Sequence, residues 1–151
     1  MSTFRRFKPK LALTRMMKEA GGMYAVEALR RADENLGELR EGCLVNIDDV
    51  LDRLDAMAKA GIAARPEFEA AYDLSSQIIG LSGGAPELKL EEAARSLCDY
   101  LDRLAEGERL DLRGIGVHVS ALRLLHRSPA GPEERRTILD GLAQVAAHMG
   151  G

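Results

Sequence analysis

The chain has 151 residues, of which 46% are hydrophobic and 30% are charged, and this length and composition suit one globular domain with a single sizeable core. A formal net charge of −3 argues against a dedicated nucleic-acid binder. No apolar run approaches the roughly 18 residues that a membrane span needs, and the N-terminus lacks the apolar segment of a secretory signal, so we expect a cytoplasmic protein.

The N-terminal stretch carries a cluster of positive charge. Residues 1–18 hold six of the 21 basic side chains and none of the 24 acidic ones, which leaves the remainder with a charge of 15 − 24 = −9. A basic arm on an acidic body suits contact with an acidic partner, a membrane surface or nucleic acid, although a solvated tail has the same composition. Apolar positions predict a short helix that a Gly-Gly pair ends: Leu11, Leu13, Met16 and Met17. We therefore expect a basic arm over residues 1–22 and a helical domain over residues 23–151.

Residues 23–60 are predicted to form one long helix. Five apolar residues recur in it every seven positions: Leu29, Leu36, Cys43, Val50 and Met57. A helix of this length would extend about 57 Å, which exceeds what one small four-helix core covers. The sequence thus predicts either that the helix pairs with a second copy or that it breaks near Gly37 or Gly42.

Residues 70–104 are predicted to form a helical hairpin with a Gly-Gly-Ala-Pro break. Steps of three and four define an inward face on the first helix: Phe68, Ala71, Tyr72, Ser75, Ile78, Ile79 and Ser82. Asp73, Ser76 and Gly80 then lie on the outward side. A glycine inside a helix costs about 1 kcal/mol relative to Ala, so Gly80 indicates either a close approach to that backbone or the beginning of the helix end.

The rest of the chain predicts three more helices and no sheet, because no stretch alternates with a period of two. The second helix of the hairpin runs from about Pro86 to Ala105. Asp111 is a suitable N-cap for a helix that ends near His126, and Pro132 begins the last one. Four principal helices with short connections predict an all-α protein, an antiparallel four-helix bundle with a short N-terminal helix and an extra C-terminal helix.

Motifs for catalysis or metal binding were not found. The chain has no Gly-rich phosphate loop, no His-x-x-x-His pair and no Gly-x-Ser-x-Gly elbow, and its two cysteines lack metal-binding spacing. We therefore expect no enzyme activity, no cofactor and no metal site. His118 is the weak exception, because a helical wheel places it about 50° from the centre of the apolar face. A border histidine can hold one ring nitrogen and expose the other, as a phosphoacceptor needs, or it can be a satisfied boundary residue.

The residues Ser76-Gln77-Ile78-Ile79-Gly80 resemble the His-x-Leu-Lys-Gly pattern of histidine phosphotransfer (Hpt) domains. Aligning the glycines places Ser76 at the phosphorylated histidine and Ile79 at the lysine, while LCDYLDRL (97–104) resembles the end of the following helix. Serine does not accept phosphate as an imidazole nitrogen does, and isoleucine cannot pair with a phosphoryl oxygen. The resemblance implies an Hpt-like bundle that lacks its phosphoacceptor.

Most of the chain is also similar to a group of small alphaproteobacterial CheE-like chemotaxis proteins. The matching segments are FRRFKPK, GGMYAVEALRRADENLGELREGCL, the hairpin and VHVSALRLL. This resemblance implies a non-catalytic protein of chemotaxis or two-component signalling. It would bind a response-regulator receiver domain, or another chemotaxis protein, through Asp73, Ser76 and Gly80. The alternatives are an active phosphotransfer protein that uses His118 and a structural dimeric scaffold.

Overall fold

The computed structural model describes residues 22–148, which form five α-helices and contain no β-strand. The helices are α1 (Gly22–Ala60), α2 (Arg65–Leu81), α3 (Leu90–Ala105), α4 (Arg113–Arg127) and α5 (Pro132–His148). The all-α prediction is therefore confirmed. The predicted short helix and most of the predicted basic arm lie outside the described residues.

Helix α1 is one unbroken helix of 39 residues, about 58 Å long. Of the two alternatives that the sequence left open, the break near Gly37 or Gly42 is therefore wrong. A Cβ atom at either glycine would meet no other atom within 4 Å. Contacts divide the chain between Glu38 and Leu39 into two units, of which the structure describes residues 22–38 and 39–148. Residues 22–38 form only the first part of α1, and nearly all of their described side chains are exposed.

Residues 39–148 hold the hydrophobic core. Helix α3 is central, because it packs against α2, α4 and α5. Its predicted apolar stripe is buried as expected: Leu90, Ala93, Ala94, Leu97, Leu101 and Leu104. The helix begins at Leu90 and not near Pro86, since residues 86–88 form a 3-10 turn and Lys89 has the left-handed φ of 62° that ends it.

The inward face of α2 is rotated slightly from the predicted one. Leu74 is buried there, whereas Tyr72 is 37% exposed. Leu74 lies three residues after Ala71 and four before Ile78, so it shares their side of the helix. The core takes the aliphatic side chain, while the tyrosine at the edge keeps its hydroxyl near water.

The beginning of α4 also differs by one residue. The N-cap is Leu112, and not Asp111 as predicted. The Asp111 carboxylate still accepts a hydrogen bond from the Arg113 amide at 2.9 Å, so it satisfies one of the free N–H groups of the first turn. Its pKa is lowered by hydrogen bonds from the Arg113 side chain and amide.

A buried arginine, for which the sequence carries no signal, joins α5 to the end of α4 and to the 86–88 turn. Arg135 is 6% exposed, and its guanidinium donates to the carbonyl oxygens of Ala130 (3.0 Å), Leu88 (3.0 Å), Leu125 (2.7 Å) and Ser128 (2.8 Å). Carbonyls at a helix C-terminus carry partial negative charge, so they compensate part of the buried positive charge. Arg135 thus holds α5 against the end of α4 and the 86–88 turn.

Truncation of Leu97 tests whether the core lies where the structure places it. The Leu97 side chain is fully buried on α3, so Leu97→Ala should lower the free energy of unfolding by about 2–5 kcal/mol. Leu124→Ala is the matched control, because Leu124 is 51% exposed and its truncation should change stability by less than about 0.5 kcal/mol. Urea denaturation, monitored by circular dichroism, measures the free energy of unfolding of each variant. Equal stabilities of the two variants would contradict this core.

Candidate functional site

Three predicted partner-binding residues, Asp73, Ser76 and Gly80, are exposed on α2. Their spacings of three and four residues place them on one side of the helix, which we call the Ser76 face. The helix is well defined at its start, where the Glu67 carboxylate accepts hydrogen bonds from the amides of Ala63 (2.6 Å) and Ala64 (3.0 Å). These bonds lower the pKa of Glu67.

Gly80 opens a groove between α1 and α2. The groove encloses about 450 Å³ and is lined by Asn46, Asp49, Val50, Arg53, Gln77, Gly80 and Leu81. A Cβ atom at Gly80 would meet no atom within 4 Å, so no described part of the chain approaches this backbone closely. Gly80 is the penultimate residue of α2, which agrees with its role in ending the helix. Its missing side chain also leaves the groove open.

The groove carries two unpaired charges. Asp49 and Arg53 are exposed on α1, and neither forms an ion pair within residues 22–148. The nearby acids differ, because Asp48 and Asp52 pair with Arg123 of α4. The groove can therefore receive a polar or charged side chain of a partner. The lining contains no histidine, cysteine or lysine, and Asp49 is its one carboxylate.

His118 does not occupy the predicted border position. It is fully buried on α4, and both ring nitrogens are engaged: Nδ1 lies 2.7 Å from the carbonyl oxygen of Gly114, and Nε2 lies 2.9 Å from Oγ of Ser96 on α3. Since a carbonyl oxygen only accepts, Nδ1 donates to it, and Nε2 of the neutral ring accepts from the Ser96 hydroxyl. Burial lowers the pKa of His118.

The burial of His118 has a clear steric cause. A Cβ atom on Gly114 would lie 2.3 Å from Oη of Tyr100, so only glycine permits this approach of α3 to α4. The Tyr100 hydroxyl donates to the carbonyl oxygen of Asp111 at 2.7 Å, and its ring centroid is 5.2 Å from that of His118. Helix α3 therefore covers a position that the wheel of α4, taken by itself, places at the boundary. Gly114 within a helical pattern was the one sequence signal of this contact.

A second histidine lies in an ionic cluster between α1 and α4. The carboxylate of Asp48 accepts hydrogen bonds from Arg127 (2.6 Å) and Arg123 (3.2 Å), and Nε2 of His126 lies 3.6 Å from it. Hydrogen bonding from Arg127 lowers the pKa of Asp48. Burial is the main cause that lowers the pKa of His126, and the two arginines add to it.

Residues 22–148 contain no group of three or more histidine, cysteine, aspartate or glutamate side chains that could hold a metal ion. None of the helices in this range is long and apolar enough to cross a membrane. Comparisons of the chain with protein-family models, with curated proteins and with solved structures find no match.

Gly114 allows a direct test of the contact between α3 and α4. Gly114→Ala should lower the free energy of unfolding by about 1–3 kcal/mol, because the added methyl overlaps Tyr100. Gly116→Ala is the matched control in the same helix. A Cβ atom there meets nothing within 4 Å, so that variant should be stabilised by up to about 1 kcal/mol. If urea denaturation shows that both substitutions change the free energy of unfolding in the same direction, the packing of Tyr100 against Gly114 is wrong.

The two buried histidines predict how stability depends on pH. Their pKa values are lowered in the folded state, so below about pH 6.5 the unfolded chain binds protons that the folded chain does not. The free energy of unfolding should therefore decrease as the pH falls from about 7 to about 5. His118→Gln and His126→Gln should each reduce this slope in urea titrations at several pH values. An unchanged slope in both variants would contradict the neutral, buried state of the rings.

Proposed function

We propose that this protein is a non-catalytic, Hpt-like protein of bacterial chemotaxis or two-component signalling that binds a response-regulator receiver domain through the Ser76 face. The observation that carries the proposal is the contrast between Ser76 and His118. Ser76, at the position where an Hpt domain has its phosphoacceptor, is exposed on a helix. The only histidine in the middle of a helix is sealed in the core by two hydrogen bonds.

The surroundings of the Ser76 face support docking without phosphoryl transfer. Ile79, which stands at the Hpt lysine position, is half-buried and carries no charge. The groove beside Gly80 instead contains Arg53 of α1, whose guanidinium is free to pair with a carboxylate of the partner.

We also propose that α1 to α4 form the antiparallel four-helix arrangement of Hpt domains and that α5 is an addition to it. The protein is further proposed to act in the cytoplasm.

Phosphotransfer by His118 is the competing function. An acceptor nitrogen must reach the phosphoaspartate of a partner, yet both nitrogens of His118 are bonded and the ring is fully buried. Transfer would require α3 and α4 to separate. That separation would break the Ser96 and Tyr100 hydrogen bonds and expose the adjoining core.

The docking proposal predicts that Ser76→Arg and Gly80→Arg each weaken binding of a receiver domain at least about tenfold, because a long charged side chain then occupies the contact surface. The test titrates purified receiver domains of the source bacterium against the immobilised protein. Ser120→Arg and Gly141→Arg are the matched controls, since both positions are exposed on other helices and a Cβ atom at Gly141 meets nothing within 4 Å. The controls should bind as the parent does.

Three outcomes would overturn this function. The first is that no receiver domain binds the parent protein, and the second is that all four arginine variants bind equally well. The third concerns phosphate: incubation with a phosphorylated receiver should leave no acid-labile phosphate on the protein. If label appears and His118→Gln removes it, the protein is a phosphotransfer protein.

A further inference from the structure

Helix α1 carries a group of exposed apolar side chains between Tyr24 and Val45. The six most exposed large hydrophobic side chains of residues 24–147 all lie on this helix and are 63–82% exposed: Tyr24, Val26, Leu29, Leu36, Leu39 and Val45. Elsewhere in this range the largest exposure of such a side chain is 51%, at Leu124. An interaction surface is formed by those exposed apolar side chains that share one side of the helix.

The spacing within residues 22–38 identifies the kind of occupant. Ala25, Leu29, Ala32 and Leu36 follow one another at intervals of four, three and four residues, so they form the narrow a/d seam of a coiled coil. Leucine occupies the a positions and alanine the d positions. Such a seam packs against another helix that carries the same repeat.

Four charged side chains of this segment pair with one another away from the seam, whereas Asp33 and Glu38 form no ion pair within residues 22–148. The carboxylate of Glu27 bonds the guanidinium groups of Arg30 (2.6 Å) and Arg31 (3.1 Å), and Arg30 also pairs with Glu34. In the heptad that contains the seam, these four residues occupy the outer b, c and f positions. The four seam positions themselves are alanine and leucine and carry no charge, which suits an apolar partner helix.

We infer that the seam binds the same seam of a second copy in antiparallel orientation. In that orientation Leu29 faces Ala32 of the other copy and Leu36 faces its Ala25, so every layer combines one large and one small side chain. A parallel pair would stack leucine on leucine and alanine on alanine, which leaves voids in the alanine layers. An interface of this kind is self-complementary about a twofold axis.

The positions that flank the seam agree with this pairing. In the antiparallel register, Val26 lies beside Asp33 of the other copy and Ala28 lies beside its Asn35, so no like charges meet.

Dimerisation through this seam is independent of receiver binding, because it uses none of the residues of the Ser76 face.

Sedimentation equilibrium of the full chain at micromolar concentration tests whether a second copy binds. We expect the mass of a dimer, and Leu29→Glu combined with Leu36→Glu should raise the dissociation constant at least about 100-fold, because each carboxylate would be buried without a partner. Leu124→Glu, on an exposed position of α4, is the control and should remain dimeric. A monomeric parent would overturn the inference and leave residues 1–21 or another protein as the occupant. A double variant that remains dimeric would overturn it as well.

Cysteine cross-linking tests the orientation. In a Cys43→Ser background with a mild oxidant, a mixture of Leu36→Cys and Ala25→Cys chains should form the mixed disulfide, because these positions face each other only in the antiparallel pair. Leu36→Cys by itself should not cross-link to itself. Self-cross-linking of Leu36→Cys would mean a parallel pair and would contradict the antiparallel seam.

Discussion

The contact between the ring of Tyr100 and the backbone of Gly114 sets how closely α3 approaches α4. No side chain fits at position 114, and the tyrosine hydroxyl uses this approach to donate to the carbonyl oxygen of Asp111. His118, one turn beyond Gly114, is covered as a result and bonds Ser96 across the interface. One steric constraint therefore removes the most plausible phosphoacceptor from the surface.

Polar groups join the elements around this centre. Arg135 bonds four main-chain carbonyls that belong to three separate segments, and Asp48 of α1 bonds Arg123 and Arg127 of α4. Arg135 is buried, so the loss of its carbonyl bonds would leave unsatisfied groups in the interior. The ion pairs of Asp48 are partly exposed, which makes them weaker, and their main contribution is to orient α4 relative to the second half of α1.

Two surfaces remain for interaction, and they differ in chemistry. The Ser76 face and its groove are largely polar and carry the carboxylates of Asp49 and Asp73 and the guanidinium of Arg53, none of which forms an ion pair within residues 22–148. This surface suits a transient partner with a polar surface. The seam on the first half of α1 is apolar and regularly spaced, which suits a permanent helical partner.

The local patterns of the sequence were enough to predict an all-helical chain and the approximate position of its helices. The apolar stripe of α3, the beginning of α5 at Pro132, and the outward positions of Asp73, Ser76 and Gly80 all agree with the structure, because each depends on the periodicity of a single helix. The heptad spacing of Leu29 and Leu36 likewise indicated the exposed seam of α1. Only the tertiary structure decided the continuity of α1 through its glycines, the burial of His118 and the carbonyl cluster around Arg135. These features depend on how closely separate helices approach and on which distant carbonyls meet, and the periodicity of one helix contains no information about either.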